Sequence, residues 1–326
     1  MGVHPMWDSY PKLKKDLAKV IELIDAHVKV KDPQIEKTVK QFIHSGGKML
    51  RPAYTLLCSE IGSSQNKEQS IAVAASMECL HMATLIHDDV IDEADKRHGI
   101  PTIHTQHGNR YAIYTGDYLF CLCFNILAKH ASSLANLEFN ARGMEKILTG
   151  ELEQLNSRYQ PPTSVKNYLS RISGKTAQLF SLSCYTGALV SKAPAKIVSR
   201  AKNMGHYIGM AFQIMDDILD YQGESKAMGK PVLNDIRQGI YNLPLIYAVK
   251  ENPKEILDIL SKKADLDDQD METLTEMIHK YKGIEKAKEL AEKYTEKAIK
   301  ELDRLPDGEY KQTLREITMT LLNRKM

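Results

Sequence analysis

The placement of proline constrains the fold of this chain most, because a helix interior tolerates proline less than any other residue. No proline interrupts the stretches 53–100, 102–160, 163–193 and 195–230. Apolar residues recur in them at helical spacing, which predicts amphipathic helices. Helical runs are predicted up to residue 92 and at 106–130, 137–158, 165–190, 196–221 and 235–250. No alternating strand pattern between hairpin turns competes, so we predict an all-α fold.

The chain shows no low-complexity linker and no shift in composition that would mark a domain boundary. At 326 residues it is long for one domain but long enough to bury a substantial core. We therefore expect one helical domain, 1–326, built as a bundle around a central cavity.

Composition excludes several classes of protein. The formal net charge is +2, from 44 basic and 42 acidic residues, whereas a nucleic-acid binder usually carries a marked basic excess. No apolar run approaches the roughly eighteen residues of a membrane span, and the first residues lack the apolar core of a signal peptide. The five cysteines lie in apolar segments without CxxC pairing, which indicates buried free thiols in a reducing cytoplasm. We expect a cytoplasmic protein with no integral membrane segment and no nucleic-acid partner.

Two DDxxD clusters are the strongest chemical signal, and each lies at the C-terminal end of a predicted helix. They are formed by Asp88, Asp89 and Asp92, and by Asp216, Asp217 and Asp220. Aspartates four apart share a helix face, where like charges destabilise the helix, and negative charge near its C-terminus opposes the macrodipole. A bound cation would explain them, and oxygen ligands of this kind suit Mg²⁺ shared with substrate phosphates.

The alternative interpretation is a solvated acidic helix end. Roughly 0.07 chance DDxxD clusters are expected in a chain of this length and composition, so two are improbable by accident. Both clusters also follow long apolar segments, which a merely solvated run would not need. The metal-binding interpretation is therefore favoured.

A diphosphate bridged by magnesium still carries excess negative charge, so its site should also hold fixed basic groups. Candidates lie where helix ends and loops meet in the sequence: Lys48, Arg51, Arg97, Lys175 and Lys230. Each of them alone is more often ordinary surface charge.

Several sequence blocks occur in the order typical of one enzyme family. They are GGKMLRP (46–52), HMATLIHDDVIDEADKRHG (81–99), GDYLF (116–120), GELEQ (150–154), GKTAQLF (174–180), FQIMDDILDYQG (212–223) and GKPVLNDIRQGIYNLPLIYA (229–248). From about residue 40 to its C-terminus the chain resembles the trans-isoprenyl (polyprenyl) diphosphate synthases. It is most similar to the medium- and long-chain type, such as hexaprenyl and heptaprenyl diphosphate synthase catalytic subunits. Terpene cyclases share the fold but typically carry a different second metal motif.

The resemblance implies a role for each matching residue. The six aspartates would bind Mg²⁺, with the allylic diphosphate between the two clusters. Arg97, Lys175 and Lys230 would hold the allylic diphosphate, and Lys48, Arg51 and His81 the isopentenyl diphosphate, with basic residues near Arg324 closing that site. Thr176 and Gln213 would line the developing carbocation. The residues expected to act in catalysis are Asp88, Asp89, Lys175, Thr176, Gln213 and Lys230.

Three positions depart from the family pattern. His98 stands where arginine is common at the isopentenyl site, and its imidazole would make binding weaker and pH-dependent. Ile240 replaces a common lysine, and Asn242 a usual threonine. We interpret these as changes of degree, because no aspartate is lost.

The implied reaction lengthens an allylic diphosphate, such as farnesyl diphosphate, with isopentenyl diphosphate and releases diphosphate. The positions four and five residues before the first motif, Thr84 and Ala83, are small where aromatics often stop growth, and Leu80, Cys79, Ser76 and Met77 lie deeper. We therefore expect an all-trans product of about five to seven units, at roughly one isoprene per 5.4 Å helical turn. Alternative floor residues on the next helix are Phe120 and Phe124.

Three other interpretations stay open. In the first, the chain would be a subunit of a heteromeric synthase, either regulatory or catalytic only with a small partner. In the second, it would be a terpene cyclase. A zinc site built from His81, His87, His104 and His107 is a third, although no pair has the spacing of a known zinc motif. A homodimer is expected from the resemblance, and large apolar helix faces are compatible with it.

Overall fold

The computed structural model describes residues 3–44, 47–64, 66–97, 99–130, 134–162, 164–221 and 233–322, with side chains except at 134–140 and 234. Helices account for most of this part of the chain. They are α1 (Pro11–His27), α2 (Pro33–Ile43), α3 (Leu50–Cys58), α4 (Lys67–Ile91), α5 (Ile103–His107), α6 (Asn109–His130), α7 (Leu134–Asn156), α8 (Val165–Ile172), α9 (Gln178–Val190), α10 (Ala195–Tyr221), α11 (Asn234–Arg237), α12 (Leu243–Glu251), α13 (Pro253–Leu260), α14 (Asp268–Lys280), α15 (Gly283–Asp303) and α16 (Glu309–Leu322).

Extended structure is confined, within the described ranges, to one short antiparallel hairpin. Strand β1 (Lys96–Arg97) pairs with β2 (Ile100–Pro101), and Gly99 in the turn has a positive φ of 79°. The hairpin lies in the loop after the first aspartate cluster. The all-α fold expected from the sequence is confirmed.

The chain packs into two compact units. Unit 1 contains Met1–Ala141, Leu182–Lys202 and Leu305–Lys311, and unit 2 contains Arg142–Ser181, Asn203–Arg304 and Gln312–Met326. A single domain over 1–326 stays a prediction.

Unit 1 is built around α4, which packs against α1, α3 and α6. The Asn66 side chain caps its start by accepting a hydrogen bond from the Gln69 backbone N–H, as an N-cap residue should. Every residue from 72 to 80 is buried, so the middle of the helix is surrounded by protein. The helix ends where the Asp92 N–H donates to the Asp88 carbonyl, which puts the first aspartate cluster at its C-terminus.

Unit 2 has its own core, to which α8, the second half of α10, α12, α14 and α15 contribute. Between α8 and α9 the backbone forms one π-helical turn, Ser173–Ala177, a local widening that is frequent at functional sites. The run predicted as one helix over 235–250 is broken into α11 and α12. Gly239 has a positive φ of 74°, and Pro244 lies in the first turn of α12, where its missing N–H costs nothing.

Two expectations from composition need correction. By length and composition α4 and α6 each pass the criterion for a membrane span, with 67% and 44% of their most apolar windows buried inside the protein. This is weak evidence for a membrane, since the core helix of a soluble protein passes the same test. Four cysteines are buried free thiols as expected, but Cys121 on α6 is exposed.

Candidate active site

The first aspartate cluster is held by a cation from the hairpin. Asp89 is almost fully buried, and the Arg97 Nε and Nη2 atoms lie 2.9 and 2.8 Å from its Oδ1. Gly99 turns the hairpin that carries Arg97, and the Thr102 hydroxyl anchors its far side by donating to the Ala94 carbonyl. The structure shows that Arg97 fixes Asp89, and its role toward a substrate stays a prediction.

The second oxygen of the same carboxylate is the feature that a cation would satisfy. Asp89 Oδ2 is buried and has no hydrogen-bond partner among the described residues. Asp88, the neighbouring residue, and Asp92, one turn further, are partly exposed. Buried polar atoms are normally paired, so an acceptor left open beside two further carboxylates fits a hard cation such as Mg²⁺.

The predicted isopentenyl site contains a contact that defines a tautomer. Arg51 Nη1 lies 2.9 Å from His81 Nε2. Since a guanidinium can only donate, Nε2 of His81 must accept and therefore carries no proton. Arg51 and His81 are both partly exposed, so part of each remains open to a ligand.

Glu78 lies one turn before His81 and was not singled out from the sequence. It is only 8% exposed, and burial raises its pKa to about 7 although the nearby Arg51 charge lowers it. The signal was available: a carboxylate inside the apolar segment MECLHM is seldom buried without a cationic partner.

Lys48 is exposed and follows the glycine-rich loop. Its backbone is anchored from below, because the indole N–H of the fully buried Trp7 donates to the Lys48 carbonyl at 2.8 Å. Met49, the residue before α3, adopts the left-handed conformation with φ 50°. The loop therefore turns sharply into the helix that carries Arg51.

The GDYLF block explains how His87 is oriented. The His87 Nε2 atom lies 3.1 Å from the Ile113 carbonyl and 3.3 Å from Asp117 Oδ1. A Cβ atom on Gly116 would lie 2.4 Å from this ring, so a larger residue there would push the imidazole out of its place. The His87 ring also packs on Phe120, with centroids 5.5 Å apart.

The predicted tunnel positions on α4 differ in their surroundings. Thr84 is partly exposed on the face it shares with His81 and Asp88. Ala83 and the deeper residues are packed in the interior: Leu80, Cys79, Ser76 and Met77. Among these positions on α4, Thr84 is thus the one with exposed surface. Of the alternative floor residues, Phe124 is 39% exposed.

In unit 2, the π-helical turn presents Lys175 and Thr176. The Lys175 ammonium donates to Glu151 Oε2 at 2.9 Å. Gly150 and Gly174 bring the two backbones together, since a Cβ on either glycine would lie 3.0 to 3.2 Å from the facing backbone. The GELEQ and GKTAQLF blocks thus form one structural unit around the predicted diphosphate lysine.

A continuous chain of hydrogen bonds connects this turn to the second aspartate cluster. The Thr176 hydroxyl donates to Gln213 Oε1 at 2.5 Å, and Gln213 Nε2 donates to Asp217 Oδ1 at 2.7 Å. The Tyr168 hydroxyl donates to Asp217 Oδ2 at 2.6 Å. Both oxygens of Asp217 therefore accept from protein donors. Sequence reasoning missed Tyr168.

Burial dominates the electrostatics of this chain. It raises the pKa of Asp217 to about 7, although the hydrogen bonds from Tyr168 and Gln213 lower it. Burial and then the Asp217 charge raise the pKa of the Tyr168 phenol well above its ordinary value. The tyrosine therefore stays protonated and remains a donor.

The other two aspartates of the second cluster are in a different environment. Asp216 and Asp220 are both partly exposed and lie one turn apart on the same face of α10. No group of three His, Cys, Asp or Glu side chains within the described part of the chain is arranged to hold a metal ion by itself. Of the predicted site residues, His98 and Lys230 lie outside the described residues, as does Arg324.

The departures at 240 and 242 have simple structural consequences. Ile240 is buried, and the Asn242 amide donates to Asp235 Oδ2 at 2.7 Å. Asn242 thus holds the carboxylate of the NDIRQG block.

The four histidines considered for zinc each have another partner. Besides the contacts of His81 and His87 described above, His104 Nε2 lies 2.8 Å from the Ala94 carbonyl and His107 Nε2 lies 3.0 Å from Thr38 Oγ1. The Nε2 atom of each histidine is thus engaged in a protein contact, and the described residues contain no His, Cys, Asp or Glu cluster arranged for zinc.

Comparison with known proteins agrees with this geometry. Residues 32–278 match the family model for polyprenyl synthetase. The chain is 37% identical over 311 residues to heptaprenyl diphosphate synthase component 2 of Geobacillus stearothermophilus, covering 95% of this chain and 96% of that protein. It is 31% identical to nonaprenyl diphosphate synthase of Mycobacterium tuberculosis, covering 90% and 88%.

Solved structures show the same likeness. The chain superimposes on geranylgeranyl pyrophosphate synthase from Lactobacillus brevis with a TM-score of 0.93, at 37% identity, covering 98% of this chain and 99% of that one. For heptaprenyl diphosphate synthase from Staphylococcus aureus the TM-score is 0.91, at 35% identity, with 96% and 99% covered.

An all-α fold with two aspartate clusters and matched basic residues defines the class of trans-prenyltransferases, and the expectation of such an enzyme is confirmed. The chain belongs to the polyprenyl synthetase family.

Proposed function

We propose that this protein is a Mg²⁺-dependent enzyme that condenses an allylic diphosphate, such as farnesyl diphosphate, with isopentenyl diphosphate to form an all-trans polyprenyl diphosphate. The observation that carries the proposal is the buried carboxylate of Asp89. Arg97 holds one oxygen, and the other has no hydrogen-bond partner within the described residues, beside the partly exposed Asp88. That arrangement suits a cation shared with substrate phosphates.

Magnesium, when bound, supplies charge stabilisation for the departing diphosphate. Asp88, Asp89 and Asp92 would hold it in unit 1, and Asp216, Asp217 and Asp220 in unit 2. Arg97 and Lys175 supply further positive charge to the allylic diphosphate, as Lys230 would.

The second substrate is held by other residues. Lys48 is exposed, and Arg51 and His81 are partly so, which leaves all three able to receive the isopentenyl diphosphate. Thr176 and Gln213 present polar atoms to the allylic carbon where positive charge develops. The reaction needs no side-chain nucleophile: the double bond of isopentenyl diphosphate attacks the cation, and a proton leaves to the departing diphosphate.

The proposed product is of medium or long chain, about five to seven isoprene units at roughly 5.4 Å of helix per unit. Thr84 is partly exposed and no aromatic side chain stands at position 83 or 84. The relatives described above are named as geranylgeranyl, heptaprenyl and nonaprenyl synthases, and the proposed length lies within that range.

We also propose that the protein is a cytoplasmic homodimer. On α6, Ile113, Tyr114 and Phe124 are 43%, 74% and 39% exposed, and Ile113 and Phe124 share a helix face. An apolar face of this kind is typical of an interface with a second copy.

A second candidate is a subunit of a heteromeric synthase. The specific observation in its favour is that two relatives, at 37% and 34% identity, are named component 2 of a heptaprenyl diphosphate synthase. The two candidates differ in one property: whether the purified chain is active alone.

The test is product analysis with the purified full chain, farnesyl diphosphate, labelled isopentenyl diphosphate and Mg²⁺, separated by chain length after dephosphorylation. A ladder that EDTA abolishes, and that Asp258→Asn on the exposed side of α13 leaves unchanged, supports the proposal. A ladder that stops at three or four units keeps the enzyme but contradicts the product length. No product without a second chain favours the heteromeric subunit.

A further inference from the structure

Tyr168 is a buried polar residue that the proposed chemistry does not use. It lies on α8, only 2% exposed, and its hydroxyl contacts the second aspartate cluster. The Arg171 guanidinium lies 5.6 Å from the centre of the Tyr168 ring and also donates to the Tyr241 carbonyl. The guanidinium therefore packs against one face of the ring. A phenol that is held in place in this way, and whose hydroxyl donates to a carboxylate, can position that carboxylate.

The direction of every hydrogen bond in the chain from Tyr168 to Thr176 is set by Asp217. The Tyr168 hydroxyl and the Gln213 NH₂ group donate to the two oxygens of Asp217, so Gln213 turns its carbonyl oxygen toward Thr176. Thr176 must then donate its single hydroxyl proton to Gln213. What Thr176 offers to any further neighbour is oxygen lone pairs.

We propose that Tyr168 is a positioning residue of the active site, which holds Asp217 so that Thr176 turns its lone pairs, and not its proton, toward the developing allylic cation. The inference rests on the proposed function, because it gives Thr176 that neighbour. Without the Tyr168 hydroxyl, Oδ2 of Asp217 loses its donor, so the carboxylate can rotate away from Gln213 and the amide loses the acceptor that fixes its orientation. Thr176 then presents its proton, with the wrong sign of charge for a cation.

Three variants of the full chain test this: Tyr168→Phe, Thr176→Val and the double variant. Tyr247→Phe is the matched control, a partly buried tyrosine of the same unit that packs against the same core outside the hydrogen-bond chain. The kinetic readouts are kcat and the KM of each substrate. The readout independent of turnover is the rise in melting temperature on adding inorganic diphosphate with Mg²⁺.

Tyr168→Phe is expected to lower kcat about tenfold to a hundredfold, the range for a hydrogen bond to a charged group, with little change in either KM. The diphosphate-induced rise in melting temperature stays as in the wild type. In the Thr176→Val background, Tyr168→Phe costs no further activity, because the two residues act through one chain. Tyr247→Phe behaves as the wild type.

Multiplied losses in the double variant would show that Tyr168 acts independently of Thr176, and unchanged kcat in Tyr168→Phe would show that it does not act; either result overturns the inference. If Tyr168→Phe does not fold, Gln213→Leu carries the same test, because it breaks the hydrogen-bond chain between Asp217 and Thr176 and leaves all six aspartates in place. Unchanged kcat in Gln213→Leu would also overturn it. If the wild type forms no prenyl product, the proposed function fails and the inference with it; a productive wild type separates the two failures.

Discussion

The two DDxxD clusters have the same sequence pattern but different surroundings. In unit 1, Asp89 is held on one oxygen by the cationic Arg97, and its other oxygen is buried without a hydrogen-bond partner in the described part of the chain. In unit 2, the equivalent Asp217 accepts on both oxygens, from the neutral donors Tyr168 and Gln213. One middle aspartate is thus open on one side, and the other is fully engaged.

This difference indicates that Asp89 and Asp217 have different roles, although they occupy the same position in identical motifs. A carboxylate with an open oxygen beside Arg97 is suited to share a cation. One enclosed by neutral donors is suited to orient its neighbours Gln213 and Thr176. The first and fifth aspartates of both clusters, Asp88, Asp92, Asp216 and Asp220, are all partly exposed.

The largest expected effect tests whether both aspartate clusters bind the metal. Asp88→Ala and Asp216→Ala should each lower kcat by about a thousandfold or more, because each removes an oxygen ligand for the cation that stabilises the leaving diphosphate. Initial rates measured across a Mg²⁺ titration check this, with Asp258→Asn as the control. A severe loss in one variant and near-normal activity in the other would show that only one cluster binds metal.

The next effect tests whether Asp89 and Asp217 have different roles. Arg97→Gln removes the charge that faces a buried carboxylate, so the Mg²⁺ concentration needed for half-maximal rate and the allylic KM should rise about tenfold to a hundredfold. Tyr168→Phe should leave the Mg²⁺ requirement unchanged and lower kcat. Arg110→Gln, an exposed arginine on α6, is the control for Arg97. Equal Mg²⁺ profiles for both variants would remove the proposed difference between Asp89 and Asp217.

Much of this architecture is readable from the sequence because its causes are local. Proline-free periodic stretches predict helices directly, and the helix carrying Asp88 ends as expected. The exception, a single helix over 235–250, failed because the backbone of Gly239 takes a positive φ, which periodicity does not report.

The partners of the site residues were harder to foresee because they are distant along the chain. Tyr168 is 49 residues from Asp217, and Lys175 is 24 residues from Glu151. A sequence motif identifies the residues that take part in the chemistry, but not the distant residues that fix their positions. Glu78 is the case in which a signal was present, since an acid within an apolar run indicates a special environment.

A smaller effect concerns how far the product grows beside the first cluster. Thr84→Phe places an aromatic ring on the open face of α4, one turn before Asp88, and should shorten the longest product by one or more isoprene units while the rate of the first addition stays similar. Thr84 is the better position than Ala83, because Ala83 has no exposed surface and a larger side chain there would overpack the core. Chain-length analysis from farnesyl diphosphate measures this.

Thr84→Ser is the matched control, since it keeps the hydroxyl that donates to the His81 carbonyl. Unchanged products from Thr84→Phe would show that growth does not follow this face of α4. Phe120, which packs on His87 from the neighbouring helix, would then be the next position to test.

The last effect is on stability and not on turnover, and it separates Glu78 from the aspartates. Burial raises the pKa of Glu78 from its ordinary 4.5 to about 7, so between these values the folded protein binds more protons than the unfolded chain. Its contribution to the free energy of unfolding is therefore greatest at low pH and falls as pH rises from about 4.5 to 7.

Glu78→Gln cannot ionise and lacks this fall. Relative to the wild type it should gain up to about 3 kcal/mol between pH 5 and pH 8, the value that the pKa shift implies. Urea unfolding at several pH values and one fixed protein concentration measures the difference, with the exposed Glu292→Gln as control. Parallel stability curves for Glu78→Gln and the wild type would mean that Glu78 is ionised throughout and that Arg51 outweighs its burial. In that case unit 1 would contain two buried carboxylates held by arginines, Asp89 by Arg97 and Glu78 by Arg51, and the contrast with the neutral donors around Asp217 would extend beyond the aspartate clusters.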